Sequence, residues 1–167
     1  MTDTDGTHEA SLPLRAIWFR RPEPLEGPVV VTGVFDVLHV GHVRFLTSIA
    51  ERGLPLVVGI ESDERVRAWK GPGRPINPAE ERAETIAALS CVAGSFIIEG
   101  PPSVADWAAY ADLLRPINPA ALAFTAGDRY TRAKIRGAEA LDAQAWELPF
   151  TPGRSTTAAL GRLAHSL

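Results

Sequence analysis

Two histidines, His39 and His42, lie three residues apart in the segment VVVTGVFDVLHVGHVRFL, which runs from Val29 to Leu46. An imidazole has an ordinary pKa of about 6.5 and donates hydrogen bonds to phosphoryl oxygens. Two histidines taken alone are more often a loop residue and a helix cap. The residues around this pair instead favour a phosphate site, at which both rings could contact one phosphate.

Strand and helix signals flank the histidines. The β-branched run Val29–Val31 predicts a buried parallel strand, and Gly33 marks its end. Beyond it, Val43, Leu46 and Ile49 recur at helical spacing. A helix that begins just outside a parallel strand directs unpaired N–H groups and about half a positive charge into the crevice where such sheets bind ligands. We therefore expect an anion there.

A second helix N-terminus of this kind lies in FTPGRSTTAALGRL, from Phe150 to Leu163. Gly153 permits a tight approach, and Ser155, Thr156 and Thr157 offer hydroxyl and N–H groups where a helix begins. The alternative is an ordinary Ser/Thr cap, which is common. Because the histidine pair is also present, we expect the two helix N-termini to hold one polyphosphate from two sides.

Basic residues and one strand-end turn lie between these two segments. Lys70, Arg74 and Arg82 fall in WKGPGRPINPAEER, which could fold over a nucleotide, although isolated basic residues usually face solvent. Gly127 and Asp128 follow a predicted strand. The carboxylate there could meet a ribose, a base or a metal ion, or form an ordinary Asx turn.

The segment TGVFDVLHVGH, Thr32 to His42, resembles the GxFDxxHxGH signature of the cytidylyltransferase-like nucleotidyltransferases, and the Ser-Thr-Thr run resembles that family's late motif. Over about Val29 to Leu163 the chain closely resembles adenylyltransferase domains that act on D-glycero-β-D-manno-heptose 1-phosphate. Glycerol-3-phosphate cytidylyltransferases are also similar, but they carry an arginine where this chain has Phe150. This difference favours the heptose branch.

The resemblance implies a role for each matching residue. His39, His42 and Lys70 would be catalytic, and Asp36, Lys70 and Arg74 would bind the acceptor, with no residue assigned as a metal ligand. The nucleotide-binding residues would be Thr32, Gly33, Val34, Phe35, His39, Gly41, His42, Arg82, Gly127, Asp128, Gly153, Ser155, Thr156 and Thr157. The chain departs from the heptose enzymes after Asp128, where Arg129, Tyr130 and Thr131 follow, and at Arg154, where a smaller residue is common. The acceptor therefore stays open.

The implied reaction transfers a nucleoside monophosphate from ATP, which we prefer to CTP, to a small phosphorylated acceptor such as a sugar phosphate, releasing pyrophosphate. No sugar kinase domain precedes the motif, so we expect the acceptor to arrive phosphorylated. Mg²⁺ would bridge the phosphates and keep several waters.

Three other functions are weighed against this reaction. One is a cytidylyltransferase acting on a polyol phosphate or a phosphonate. Another is a non-catalytic nucleotide-binding regulator, for which degraded motifs would be expected. A tRNA-charging enzyme shares a similar histidine pair. That function also needs an anticodon-binding domain and a basic tRNA-binding face, and we expect neither from 167 residues with a net charge of −3.

Alternating strand and helix signals from Pro28 onward predict an α/β fold with a doubly wound parallel five-stranded sheet, the Rossmann-like fold of HxGH nucleotidyltransferases. The predicted strands lie near 28–32, 55–60, 95–99, 120–125 and 144–148. The predicted helices lie near 42–52, 78–90, 103–115, 131–142 and 155–165. Asn77 resembles the N-cap of the second helix.

Length and charge fit one catalytic domain at 28–167, preceded by an extension at 1–27 that we expect to be partly disordered. The 167 residues carry a formal net charge of −3 without a basic run, which gives no indication of nucleic-acid or membrane binding. No apolar run approaches the roughly 20 residues of a membrane span, and the N-terminus lacks a signal peptide's pattern. The single Cys91 suits a reducing cytoplasm. A homodimer is expected from the resemblance.

Overall fold

The computed structural model describes residues 13–166, so positions 1–12 of the extension that we expect to be partly disordered lie outside the described part of the chain. The strands are β1 (Arg15–Arg20), β2 (Val29–Gly33), β3 (Leu56–Glu61), β4 (Gly94–Glu99), β5 (Ala121–Thr125) and β6 (Gln144–Leu148). The helices are α1 (Val40–Ala50), α2 (Asp63–Lys70), α3 (Ala79–Ala87), α4 (Trp107–Leu114), α5 (Thr131–Ala140) and α6 (Thr156–Ala164), with a 3-10 helix at Arg115–Ile117. The predicted α/β fold is confirmed.

One mostly parallel sheet, in the order β1-β4-β3-β2-β5-β6, forms the centre of the protein. The sequential order reverses between β2 and β5, which is the switch point where sheets of this type bind ligands. These two strands pair only at Val29–Ala121 and Val30–Leu122. They therefore separate toward their carboxyl ends and leave a crevice between them.

The prediction of five strands was wrong by one, because Arg15–Arg20 adds a sixth strand at the edge. It pairs antiparallel with β4, and the ring of Trp18 packs 5.1 Å from the ring of Phe96. Pro13 and Pro22 flank the strand and do not interrupt it. The eight residues between these two prolines are enough for a six-residue strand.

Apolar residues on both faces of the sheet form the core. One cluster packs β2 and β3 against α1 and α3, with Leu46 and Ile49 fully buried. The other packs the opposite face against α4, α5 and the N-terminal strand, through residues such as Phe96 and Leu114. Helices thus cover both faces, as a doubly wound sheet requires.

Two helix predictions differ from the structure. The helix placed at 103–115 begins only at Trp107, because Asp106 accepts a hydrogen bond from Ala109 N–H and acts as its N-cap. Helix α2 was not predicted, since its sequence DERVRAWK is mostly charged and buries only Arg65 and Val66. No helix in residues 13–166 is long and apolar enough to cross a membrane.

A network of polar side chains, Glu61, Arg65 and Tyr110, ties α2 to α4. The Arg65 guanidinium is fully buried and donates to Glu61 Oε2 at 2.7 Å and to the Tyr110 hydroxyl at 2.9 Å. It also donates to two carbonyls of the loop before α4, and Tyr110 donates to Glu61 at 2.6 Å. This buried network fixes α2, whose last residue is Lys70.

Candidate active site

A cavity of about 350 Å³ opens at the carboxyl ends of β2, β5 and β6. It brings the histidine segment and the Ser-Thr-Thr segment onto one surface, although more than 110 residues separate them. Its lining residues are Val34, Phe35, Asp36, His39, Gly41, His42, Phe45, Lys70, Arg74, Thr125, Pro149, Phe150, Thr151, Arg154, Ser155, Thr156 and Thr157. The two helix N-termini therefore share one cavity.

The two histidines cap helix α1 reciprocally. His39 is the N-cap and its Nδ1 accepts from Gly41 N–H at 3.1 Å, while His42 Nδ1 accepts from His39 N–H at 3.4 Å. The rings stack with centroids 3.8 Å apart. An Nδ1 that accepts carries no proton, so the neutral form of each ring has its N–H at Nε2. The residues that cap the helix are therefore the same two that the sequence analysis predicts to be catalytic.

Burial and nearby positive charge lower the pKa of both histidines, which favours the neutral rings. Burial, and then the neighbouring His39, lower the pKa of His42 to about 4. Burial also lowers the pKa of His39, and the positive charge of Arg154 lowers it further. Gly41 N–H is already bound by His39, so α1 presents imidazole Nε2–H groups where unpaired backbone N–H groups were expected.

Glycine is required at Gly41 and Gly33 because aromatic rings lie against both. A methyl group at Gly41 would lie 2.9 Å from His39 Nδ1, and one at Gly33 would lie 2.9 Å from the Phe35 ring. Phe35 itself has a φ of +48°, in the left-handed region. The turn after β2 thus holds Phe35 beside His42, with ring centroids 5.2 Å apart. Thr32 precedes this turn within β2 and does not line the cavity.

Asp36 holds the loop that connects α2 to α3. Its buried carboxylate accepts from Arg74 Nε at 2.7 Å and from the N–H groups of Ile76 and Asn77 at 2.8 and 3.0 Å. Burial raises the pKa of Asp36, but these hydrogen bonds outweigh burial and the net pKa is lowered. Asn77 donates back to Asp36 O at 2.8 Å and is not the N-cap of α3, which is Pro78.

Arg82 lies in the interior instead of facing the cavity. Its three guanidinium nitrogens donate to Asn77 O at 2.9 Å, Val34 O at 2.6 Å and Asp63 Oδ1 at 2.7 Å. The side chain is 1% exposed. Because each nitrogen is engaged, this geometry suits a residue that positions the turn after β2. It does not favour the predicted contact between Arg82 and a nucleotide.

The N-terminus of α6 forms the opposite wall. Ser155 is its N-cap and accepts from Ala158 N–H at 3.1 Å, while Thr156 Oγ1 donates to Val37 O at 3.3 Å. The N–H groups of Thr156 and Thr157 belong to the first turn and have no acceptor within the helix. Gly153 has a φ of +70° with nothing within 4 Å of its side-chain position, so it shapes a turn without a tight contact.

Cationic side chains complete the cavity. Lys70, at the end of α2, and Arg74 both line it. Burial lowers the pKa of Lys70, and the positive charges of Arg74 and Arg129 lower it further, against a smaller opposing effect of Asp36. These positive charges are close enough to repel one another, and a bound anion would relieve that repulsion.

Gly127 and Asp128 lie just beyond the cavity lining. Asp128 accepts from Tyr130 N–H at 2.7 Å, which closes an Asx turn, and forms an ion pair with Lys134. Thr125, at the end of β5, lines the cavity in their place. Six lining residues were absent from the predicted site because they depend on tertiary packing: Phe45, Thr125, Pro149, Phe150, Thr151 and Arg154. Of these, Phe150 and Arg154 carried a signal, since the resemblance marks both as positions where the chain differs from similar enzymes.

The cytidylyltransferase-like family model matches residues 30–157, which include both motifs. Bifunctional protein HldE of Hyphomonas neptunium is 38% identical over 133 residues, covering 78% of this chain and 26% of that protein, so the chain spans about a quarter of its length. D-beta-D-heptose 1-phosphate adenylyltransferase of Bordetella bronchiseptica is 37% identical over 148 residues, covering 86% of this chain and 84% of that protein.

A similar fold occurs in the crystal structure of a lipopolysaccharide core biosynthesis protein from Thermoplasma volcanium. The TM-score is 0.59 at 21% sequence identity, covering 75% of this chain and 96% of that chain. At this identity the likeness concerns the fold alone.

Proposed function

The chain belongs to the cytidylyltransferase-like family, and we propose that it transfers a nucleoside monophosphate to a small phosphorylated acceptor, releasing pyrophosphate. One observation carries the proposal: the stacked His39–His42 pair and the first turn of α6 line the same cavity. A polyphosphate is long and anionic enough to contact both walls at once.

The reaction is an in-line displacement at phosphorus. An oxygen of the acceptor phosphate attacks the α-phosphorus, and a new P–O bond forms. The bond from the α-phosphorus to the oxygen that bridges it to the β-phosphorus breaks, and its electron pair leaves with pyrophosphate. No base is needed because the attacking phosphate is already anionic, so the protein contributes orientation and charge stabilisation.

The residues of the cavity divide between these tasks. The Nε2–H groups of His39 and His42 donate to α- and β-phosphate oxygens, and the free N–H groups of Thr156 and Thr157 bind the phosphates beyond them. Lys70 and Arg74 bind the acceptor phosphate. Asp36, proposed from the sequence as an acceptor ligand, acts through Arg74, because its carboxylate is already occupied by that side chain and the loop backbone.

Magnesium enters this scheme as part of the nucleotide. Residues 13–166 contain no group of three or more His, Cys, Asp or Glu side chains placed to hold a metal ion. Asp36, the carboxylate that lines the cavity, is committed to Arg74. A Mg²⁺ ion carried by phosphate and water oxygens suits such a donor-poor site and would neutralise phosphate charge.

ATP and a sugar phosphate are the preferred substrates. The Bordetella relative, 37% identical, is named as a heptose 1-phosphate adenylyltransferase, which supports this choice. CTP with a polyol phosphate or a phosphonate is the alternative among enzymes. A nucleotide-binding regulator is the non-catalytic alternative, which the intact histidine pair and Ser-Thr-Thr run disfavour. We also propose that the protein is a cytoplasmic homodimer without nucleic-acid or membrane partners. Gel filtration with light scattering measures its oligomeric state.

Pyrophosphate release tests the proposal. The full chain is assayed with each of the four nucleoside triphosphates and Mg²⁺ against heptose 1-phosphate, other sugar phosphates, glycerol 3-phosphate and a phosphonate. We expect release that requires both ATP and a phosphorylated acceptor. His42→Ala should lower this release. Its matched control is His165→Ala, because His165 is an exposed histidine at the far end of α6. Triphosphate binding without release, for every acceptor, would instead support the regulator.

A further inference from the structure

The cavity carries positive charge that its own residues leave uncompensated. Three cations, Lys70, Arg74 and Arg154, line it against one carboxylate, Asp36, which Arg74 and backbone N–H groups already occupy. The whole chain has a formal net charge of −3, so this excess is local. A concave site with like charges attracts anions and is stabilised by binding them.

Arg154 lies where the two helix N-termini meet. A methyl group added at Gly41 would lie 3.2 Å from Arg154 Cβ and 2.9 Å from the His39 ring. The Arg154 side chain therefore begins beside His39 on one side and directly precedes the Ser155 N-cap on the other. The contribution of Arg154 to lowering the pKa of His39 agrees with this short separation.

Arg154 also lacks a partner within residues 13–166. It forms no ion pair or hydrogen bond there, in contrast to Arg82, whose three nitrogens are all engaged. Arg162, in the last turn of α6, is also exposed but lies at the opposite end of that helix from Arg154 and does not line the cavity. Within the part of the chain that the structure describes, Arg154 is thus a cation at the α6 wall with no protein partner.

We propose that Arg154 binds the β- and γ-phosphates of the nucleoside triphosphate, the group that leaves as pyrophosphate. This inference rests on the proposed function and adds to it a residue that the sequence analysis did not assign to the site. A planar guanidinium offers two parallel N–H donors to phosphate oxygens. When the bond to the α-phosphorus breaks, charge accumulates on the leaving oxygen, and Arg154 lies at the wall where that charge develops.

The position of Arg154 separates it from the acceptor side. Lys70 and Arg74 belong to α2 and the following loop, which Asp36 holds against the turn after β2. Arg154 belongs to the turn before α6, together with the first-turn N–H groups of Thr156 and Thr157. Loss of Arg154 should therefore weaken binding of the nucleotide and leave binding of the acceptor nearly unchanged.

The test measures binding and kinetics of Arg154→Ala, Arg154→Lys and the control Arg162→Ala. For Arg154→Ala we expect inorganic tripolyphosphate and pyrophosphate to bind about 10- to 100-fold more weakly by calorimetry, the usual effect of losing a charged hydrogen bond. The KM for the nucleotide should rise by a similar factor, with less than about a twofold change in the KM for the acceptor. Arg154→Lys should recover part of the binding, because it keeps the charge but not the fork. Arg162→Ala should match the unmodified chain.

Two results would overturn the inference, and neither depends on turnover. One is tripolyphosphate binding by Arg154→Ala that equals that of the unmodified chain. The other is an equal loss in Arg162→Ala, which would indicate general surface charge. If the unmodified chain binds tripolyphosphate through Arg154 but releases no pyrophosphate with any acceptor, the proposed transfer fails while the role of Arg154 in binding stands. Thermal unfolding of each variant confirms that it is folded.

Discussion

Arg65 and Arg154 are the same residue type in two opposite situations. Arg65 is fully buried and bonded to Glu61, Tyr110 and two carbonyls, whereas Arg154 is exposed at the cavity and bonded to nothing in residues 13–166. A buried guanidinium must be saturated by the protein, because desolvated charge is costly without partners. An exposed guanidinium is hydrated instead, and beside other cations it gains further stabilisation from a bound anion. The comparison separates an arginine that holds the fold from one that we propose binds the ligand.

The largest effect on stability is expected for Arg65→Ala. This change leaves the buried Glu61 carboxylate with only Tyr110 as a partner, so the free energy of unfolding should fall by about 3–5 kcal/mol. Urea denaturation followed by circular dichroism measures the change. Arg67→Ala, an exposed arginine on the same helix, should alter stability by less than about 0.5 kcal/mol. Equal losses of stability in the two variants would contradict the role of buried Arg65 in holding the fold.

The largest effect on catalysis is expected for His42→Ala. Loss of one preorganised donor to a charged transition state typically lowers the rate about 10²–10³-fold. The pyrophosphate-release assay should show this loss in kcat/KM, while His165→Ala keeps nearly full activity. Turnover close to normal in His42→Ala would reject its assigned role.

The buried, neutral state of His42 also predicts a pH dependence of stability. Its pKa in the folded protein is about 4, against about 6.5 in the unfolded chain. As the pH falls from 6.5 toward 4, the unfolded chain takes up a proton that folded His42 does not. The free energy of unfolding should therefore decrease over this range, by up to about 3 kcal/mol. His42→Asn should reduce this slope in urea titrations at several pH values, and an unchanged slope would refute the assignment.

The smallest effect is expected where an arginine is paired but exposed. Arg115 and Asp112 lie 3.3 Å apart with side chains more than half exposed. Solvent screens such pairs, so Arg115→Ala should change the free energy of unfolding by less than about 1 kcal/mol. A larger loss would show that pairing alone, without burial, accounts for the behaviour of Arg65.

The parts of the fold that sequence reasoning predicted are those with a simple periodic signal. The β-branched run at Val29–Val31 and the helical spacing of Leu46 and Ile49 placed β2 and α1 to within about two residues. Helix α2 has no such signal, because the residue that anchors it is Arg65, and a buried arginine cannot be distinguished from an exposed one by type. Its partners lie up to 45 residues away.

The same limit applies to the candidate site. The histidine pair and the Ser-Thr-Thr run were identifiable because each motif is local and each begins a helix. The interior position of Arg82 depends on Val34 O and Asp63, 48 and 19 residues distant. Asp36 has partners about 40 residues away. Sequence type and spacing therefore predicted which segments line the candidate site, but they could not separate the side chains that face the cavity from those that hold its loops.

The position of the phosphates in a crystal structure of the chain with a non-hydrolysable nucleoside triphosphate tests the account most directly. We expect one triphosphate to span the cavity, with phosphate oxygens within about 3.2 Å of His42 Nε2 and of the Thr156 or Thr157 N–H. A triphosphate that contacts only one of these helix N-termini, or that lies outside the cavity, would contradict it.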